Sequence, residues 1–360
     1  MVTPDFPPSP GGIQRLIHGL VRHWRNIDAR VLTFDIPGAR EFDRDEPIDI
    51  RRVDSRGIFG HRGAIAWLNT AAVVEAQRFR PHVVLSGHIV TSPAAWVIRT
   101  TMGVPFVQYL YFREINARPR LASFAVRRAN AVVAVSRHTA ALAQAFGAVP
   151  ERLHRIPPGV DVPESLSATS KSARPLILTI SRLRDRYKGH DVLLQAMPLI
   201  RSRVPNVLWV VVGDGRLRSV YERTVQDQGL GSHVEFRGAV SDDEREFWLD
   251  CAHVFAMPSR QTHEGQGEGF PLVYLEAAAR GLPVIAGDVE GAQEAVIDGE
   301  TGLLVDPNDP AAVAGAIGDL LLDPGRASQL GQAGAARARN YAWASIARQL
   351  GELLIQQAQY

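Results

Sequence analysis

Residues 258–286 read PSRQTHEGQGEGFPLVYLEAAARGLPVIA, and the rest of the chain is organised around them. Their order is strand end, polar loop, short helix, turn and buried strand. The loop is made of small and acidic residues, with Gly265, Gly267 and Gly269 at every second position. Pro271 suits a first helical turn, where its missing N–H leaves nothing unsatisfied. Leu272, Val273, Leu275, Ala278 and Ala279 are expected to form the apolar side of that helix. Gly281 is a stop signal, and Pro283 opens the strand VIA. Two carboxylates mark the unit, Glu268 in the loop and Glu276 in the helix, eight residues apart. With a start near Pro271, Glu276 lies about a turn and a half inside the helix, and Glu268 lies just before its open end. Free N–H groups and the positive end of the dipole favour an anion there, such as a phosphate. A ligand could set its phosphate at the helix start and its hydroxyls against the two carboxylates. A solvated acidic loop with one exposed helical Glu is the plainer reading, and spacing alone does not separate the two.

Upstream of this unit, PLILTIS reads as a buried strand with Arg182 just after it, and Lys188-Gly189 starts the next helix. Two fixed cations six residues apart at a strand end can clamp a diphosphate and neutralise it without a metal. A surface cation pair is the alternative. VLWVVVGDG is a central strand, but GDG alone lacks the full dinucleotide fingerprint. VEFRGAV and AHVFAMPS follow as strands. Downstream come the turn DGETG, the strand LLV, helices after Asp309 and Asp323, and a last helix from Trp343 to about Gln357.

The run LHRIPPGVDVPESLSATSKSARP is rich in Pro, Ser and Ala and marks a linker, with the crossing at residues 158–174. Before it, Pro10-Gly11-Gly12 turns the chain into an amphipathic helix over residues 13–24, with Ile13, Leu16, Ile17, Leu20 and Val21 at helical spacing. RVLTF, HVVLS, PFVQYLY and AVVAVS are strands, and residues 64–78 and 91–102 are helices. Residues 35–62 are expected to be loops with one possible short strand. In MVTPDFPP only Val2 suits a buried strand, so either the start lies upstream or the first strand is stunted. His88 follows HVVLS at the strand edge where ligands sit in open α/β sheets. Packing or capping is its alternative role. Tyr111-Phe112-Arg113-Glu114 ends the next strand, and pairing of Arg113 with Glu114 is one use for that charge. Strands alternating with helices at this spacing give parallel sheets.

A chain of 360 residues suggests two domains. The 46% hydrophobic and 22% charged content is that of a soluble globular protein. No run approaches the roughly 18 apolar residues of a membrane span, and the start lacks the basic and apolar regions of a signal peptide. Cys251 is the single cysteine, which excludes an intrachain disulfide and fits a reducing cytoplasm. No Cys/His cluster has metal-ligand spacing. Net charge is +2, yet residues 1–160 hold 21 Arg and no Lys against 12 acids. That basic half can face an anionic membrane or acceptor, or be a solvated face. Residues 118–128, RPRLASFAVRR, put Leu121, Phe124 and Ala125 on one helical face, flanked by Arg120, Arg127 and Arg128. Such a helix can rest on an anionic membrane surface, with core packing and a solvated rim as the alternative. No nucleic-acid motif is present.

Taken together, EGFPLVYLEAAARGLPVIA, FPPSPGGIQR, VVAVSRHT, IPPGVD, ISRLRDRYKGHD, VVGDG, VEFRGAV and DGETGLLVDPNDP occur in an order that resembles family-4 retaining GT-B glycosyltransferases over nearly the whole chain. The likeness is greatest to GDP-mannose-dependent phosphatidylinositol mannoside mannosyltransferases, in VTPDFPPSPGGIQ, FAMPSR and GEGFPLVYLEAAA. The resemblance implies two doubly wound Rossmann-like domains facing a cleft. Residues 1–160 would bind acceptor, 161–342 would bind nucleotide sugar, and the helix at 343–360 would pack back on the first domain. It implies that Arg182 and Lys188 hold the donor diphosphate and that Gly12 faces it. The turn at Gly238 to Val240 would receive the base, Glu276 the ribose, and Glu268 the sugar. Gly269, Phe270, Pro271 and Leu272 would meet the donor at the helix start. The catalytic set would be Glu268, Lys188 and Arg182, with no metal or other cofactor. The expected co-substrate is GDP-mannose, with anomeric configuration retained. The acceptor would be a glycolipid or polysaccharide precursor, contacted by His88, Tyr111 and Glu114, and the protein would work at the inner face of the cell membrane. Many relatives carry, where Tyr111 falls, a His that contacts the donor sugar, so that contact does not transfer. A non-catalytic nucleotide-sugar-binding partner is the alternative function. A two-domain dehydrogenase lacks its fingerprint here, and paired-carboxylate hydrolysis has no use for an Arg/Lys clamp.

Overall fold

Short runs of Val, Ile, Leu and aromatic residues, bounded by Gly, Pro or Asp, fold as parallel strands. The computed structural model describes residues 1–55, 60–165, 171–262 and 266–359. It divides into two units, Met1–Gly159 with Trp343–Tyr360, and Val160–Ala342.

The first unit contains β1 (Arg30–Phe34), β2 (Asp49–Val53), β3 (Val84–Ser86), β4 (Phe106–Leu110), β5 (Ala131–Ala134) and β6 (Leu153–Arg155). β1 pairs with β2, and β3 to β6 pair in sequence order, all parallel. Val2 bridges Leu32 on one side and Ser86 on the other, so the first residues stand between β1 and β3 and join the two groups. The backbone N–H of Val2 donates to Leu85 O at 2.9 Å and that of Thr3 to Leu32 O at 3.1 Å. Residues 35–62, expected to be mostly loop, hold the short helix Ala39–Arg44 as well as β2. On the helix Pro119–Arg128 the buried side is Ala122, Ala125 and Val126. Leu121 and Phe124, expected on the packed face with Ala125, are only half-buried, because the small residues allow the closer approach.

The last helix, Trp343–Ala358, belongs to this unit and packs on the helix Gly12–Arg22. Trp343 makes that packing specific. Its indole fills the space where side chains on Gly19 and Gly159 would stand, 2.5 and 2.2 Å from a Cβ built at each. No larger residue fits either position without moving the indole.

The second unit contains β7 (Leu176–Ile180), β8 (Leu208–Val212), β9 (Val234–Gly238), β10 (Val254–Met257), β11 (Val284–Gly287) and β12 (Gly302–Val305). Their order across the sheet is β12-β11-β10-β7-β8-β9. Chain order therefore reverses direction between β7 and β10, the switch point at which open α/β sheets bind ligands beyond the strand C-termini. The inner strands β7, β8, β10 and β11 are buried on both faces, as parallel sheets require. A polar link ties the switch-point strands inside this core. Trp209 on β8 donates its indole N–H to Thr179 Oγ1 on β7 at 2.9 Å, and that hydroxyl donates to Ala256 O on β10 at 2.5 Å. All three residues are fully buried, so each bond also spares an unsatisfied polar group worth about 1–3 kcal/mol. No described helix is long and apolar enough to cross a membrane.

Candidate functional site

The switch point of the second unit gathers Arg182, Lys188, Glu268 and Glu276. Beyond β7 the chain passes Arg182 and enters a short 3-10 turn, Arg186–Lys188, before the helix His190–Arg203. Beyond β10 it runs from Pro258 through the polar loop to the helix Leu272–Ala279. Gly265, one of the loop's alternating glycines, lies outside the described residues. Pro271 is the N-cap of this helix, with extended φ and ψ. The buried residues are Tyr274, Leu275, Ala277, Ala278 and Ala279, while Leu272 and Val273 are only half-buried. The packed side thus turns on Tyr274, whose hydroxyl donates to Met257 O at 2.6 Å and meets Ser259 Oγ at 2.8 Å. This anchor ties the start of the loop to the helix that ends it. Glu276 is the fifth residue of the helix.

The two carboxylates do not stand open to solvent. Glu268 Oε1 accepts a charge-assisted hydrogen bond from Lys188 Nζ. Their side chains are 11% and 16% exposed, so the pair is shielded from most screening. Burial works against the Lys188 ammonium, but Glu268 beside it, aided by the Tyr187 ring, carries its pKa above the ordinary value. Arg182 pushes the other way, which places its charge within electrostatic reach of Lys188. Arg182 itself is exposed. Glu276 accepts from Arg245 Nη2, on the helix Asp242–Cys251 that follows β9. Between β9 and that helix, Val240 is half-buried against the apolar cluster of β7, β8 and β10. Gly269, Phe270 and Leu272 are half-buried and Pro271 is buried around the helix start.

In the first unit His88, Tyr111 and Glu114 also come together, but their polar atoms are largely taken. His88 caps a 3-10 turn, accepting from the Val90 N–H through Nδ1 at 3.1 Å. Burial, then the charges of Arg118 and His61, lowers its pKa to about 4. It is therefore neutral near pH 7, with its proton on Nε2. The Tyr111 hydroxyl donates to Gly87 O at 2.6 Å. The Glu114 carboxylate accepts from the N–H groups of Tyr111 at 2.6 Å and Phe112 at 3.1 Å. Burial raises its pKa, with those N–H groups opposing. Pairing with Arg113 was one sequence reading of Glu114. The described bonds are instead to backbone, because the strand-to-helix turn leaves those two N–H groups without partners on the main chain. Gly12 is the first residue of its helix. Beside it Gln14 donates to Asp5 Oδ1 at 3.1 Å, a carboxylate that sequence reasoning passed over.

Arg245, Asp191 and Arg260 were also missed. Arg260 and Asp191 form a two-bond pair at 3.2 and 2.6 Å. Both lie inside stretches already quoted, FAMPSR and YKGHD, so opposite charges in two motifs were the available signal. Arg245 sits in the acidic run DDERE and carries no comparable cue. Among the described residues no group of three or more His, Cys, Asp or Glu is placed to hold a metal ion.

The chain matches the family described as Glycosyltransferase Family 4 over residues 10–164 and that described as Glycosyl transferases group 1 over residues 164–337. It is 34% identical to a GDP-mannose-dependent alpha-(1-6)-phosphatidylinositol monomannoside mannosyltransferase of Mycolicibacterium smegmatis, over 98% of this chain and 97% of the relative. It is 30% identical to a GDP-mannose-dependent monoacylated alpha-(1-6)-phosphatidylinositol monomannoside mannosyltransferase of Corynebacterium glutamicum, with the same coverage. Among solved structures, Anabaena HepE in complex with UDP and glucose superposes with a TM-score of 0.80 at 21% identity, covering 98% of both chains. A switch point carrying the ordered motifs, a shared fold and full-length similarity agree: the chain belongs to the family-4, group 1 glycosyltransferases and is a glycosyltransferase of the GT-B fold.

Proposed function

We propose that the protein transfers mannose from GDP-mannose, with retention of anomeric configuration, to a glycolipid acceptor of the phosphatidylinositol mannoside class. The observation that carries this reading is the Lys188–Glu268 pair at the switch point of the second unit. A cation held by a carboxylate in a half-buried site is ready to exchange that partner for a diphosphate. In this reading Lys188 and Arg182 neutralise the leaving diphosphate without a metal. The N–H groups at the start of the helix Leu272–Ala279 add to that stabilisation. Glu268, released from Lys188, faces the sugar and steadies positive character at its anomeric carbon. Glu276 takes the ribose hydroxyls, and the turn ending at Val240 takes the base on backbone groups. The acceptor oxygen bonds to the anomeric carbon from the face that the diphosphate leaves, as the bond to the diphosphate breaks and the acceptor's proton passes to the departing diphosphate oxygen. The choice of GDP-mannose and of the acceptor class is supported by the names of the full-length relatives.

The acceptor's anionic head group and its membrane suit the first unit. Arg118, Arg120, Arg127 and Arg128 are exposed on or beside the helix Pro119–Arg128, and Arg128 lies over the Trp96 ring at 5.7 Å. We read this face as a reversible contact with an anionic leaflet.

A donor screen tests the reading. GDP-mannose at about 100 times its Kd is expected to stabilise the protein by about 2.7 kcal/mol, while UDP-glucose and UDP-N-acetylglucosamine give little shift. NMR of the product formed on phosphatidylinositol monomannoside vesicles is expected to show the donor's own anomeric configuration. Stabilisation by a UDP-sugar alone, or an inverted product, overturns it.

A further inference from the structure

We infer that Arg260 is a positioning residue, which acts on the donor diphosphate through Lys188 without touching it; this rests on the proposed role of Lys188. Lys188 ends a 3-10 turn of three residues, too short to fix a long side chain by itself. The loop after β10 supplies what the turn lacks. The backbone N–H of Arg260 donates to Tyr187 O at 2.8 Å. Its guanidinium grips the Asp191 carboxylate through Nη1 at 3.2 Å and Nη2 at 2.6 Å. Tyr187 precedes Lys188 and Asp191 follows it, so the Arg260 contacts bracket the lysine. Between them Gly189 has φ +82°, and a Cβ there would stand 2.2 Å from Pro258 O. Turn and loop are thus in backbone contact.

The bracket fixes what lies within it. Tyr187 is 3% exposed, and its ring lies 5.2 Å from Lys188 Nζ. The ammonium is therefore set by the ring beneath it and by Glu268 beside it. The same loop that places Arg260 continues to Glu268, and its start is held by Tyr274 through Ser259 and Met257. Arg260 and Asp191 neutralise each other at 18% and 23% exposure. Their net contribution is geometric, since a planar guanidinium with two bonds fixes direction in a way that a single ammonium contact does not.

A double-mutant cycle tests this with GDP-mannose, read by titration calorimetry and by steady-state transfer. Arg260→Ala alone is expected to lower kcat/KM about 10-fold or more, because small misplacement of a charge-stabilising group is expensive in rate. In a Lys188→Ala background the same change is expected to lower it less than about two-fold, since nothing remains to be positioned. Arg260→Lys, which keeps the charge and the fold, is expected to recover part of the loss. The exchange of Arg260→Asp with Asp191→Arg is expected to recover more than either change alone. A merely structural role gives the same loss in both backgrounds, and that result overturns the inference while leaving the role of Lys188 intact. If Lys188→Ala alone leaves donor affinity and kcat/KM at wild-type values, the proposed donor site falls and this inference with it.

Discussion

The two units use their polar candidates in opposite ways. In the second unit the two candidate carboxylates answer side chains: Glu268 with Lys188, Glu276 with Arg245. In the first unit side chains answer backbone: His88 to Val90, Tyr111 to Gly87, Glu114 to Tyr111 and Phe112. A cation–carboxylate pair can open to a ligand that brings its own charge, and each partner then finds a new contact. A side chain that satisfies a buried N–H or carbonyl cannot leave without stranding it, at about 1–3 kcal/mol. At the candidate residues, therefore, the second unit's charges face partners that a charged ligand could replace, and the first unit's polar atoms are committed to the main chain.

The largest expected effect tests the exchangeable pair. Lys188→Ala or Glu268→Gln is expected to lower kcat by about 10²–10³, the scale of removing one transition-state contact, with EDTA leaving wild-type activity unchanged. Steady-state transfer from GDP-mannose checks it, and activity that is lost with EDTA and restored by a divalent ion breaks the metal-free clamp. The next effect concerns the exposed arginines of the first unit. Each contributes about 1 kcal/mol near an anionic leaflet, so changing Arg120, Arg127 and Arg128 to Ala is expected to weaken vesicle binding about 100-fold. Co-sedimentation at low salt measures this, with calorimetry expected to find GDP-mannose affinity unchanged. Protein that stays in the supernatant with strongly anionic vesicles makes a soluble saccharide the better acceptor. Glu276→Gln is expected to weaken GDP binding about 10-fold or more, from the 1.5–3 kcal/mol of a hydrogen bond to a charged group, with kcat changed less. Wild-type affinity in that variant would make the Arg245 pair structural and move Glu276 into the same class as Glu114.

A last effect is read from pH and bears on stability alone. Burial holds His88 at a pKa of about 4 and His190 at about 3, both below the unfolded value of 6.5. Between those limits the unfolded chain binds more protons than the folded one, so stability rises with pH there. The contribution is full above pH 6.5 and declines as pH falls toward 4 for His88 and toward 3 for His190. Each contributes a slope of up to about 1.4 kcal/mol per pH unit. Urea unfolding across pH 4–7 is expected to give a shallower slope for His88→Asn than for wild type. An unchanged slope sinks the assignment of a buried neutral imidazole to the cap.

Strand and motif positions were legible because period, glycine stops and apolar runs are local. RVLTF and the end of the helix at Gly281 follow from neighbours alone. The helix Ala39–Arg44 was not legible, since a charged segment between Gly and Asp looks like loop until Ala39 finds a core to enter. The Glu pair was legible as residues but not as a state. Nothing in EGFPLVYLE says that Lys188, 80 positions earlier, already occupies Glu268, or that Arg245 occupies Glu276. The first unit shows the same limit from the other side. His88 and Tyr111 sit at the strand ends that pattern assigns to ligands, and only coordinates reveal that main-chain groups claim them first.

The packing of Trp343 between Gly19 and Gly159 has a consequence for the order of synthesis. The first unit is interrupted in the chain by the whole of the second. As the polypeptide leaves the ribosome, residues 160–342 form a contiguous block that can fold as soon as it has emerged. The earlier block must wait for the helix Trp343–Ala358 to cover its Gly12–Arg22 face. The half that is begun first is thus finished last, with its Gly12–Arg22 face uncovered until the helix Trp343–Ala358 has been made.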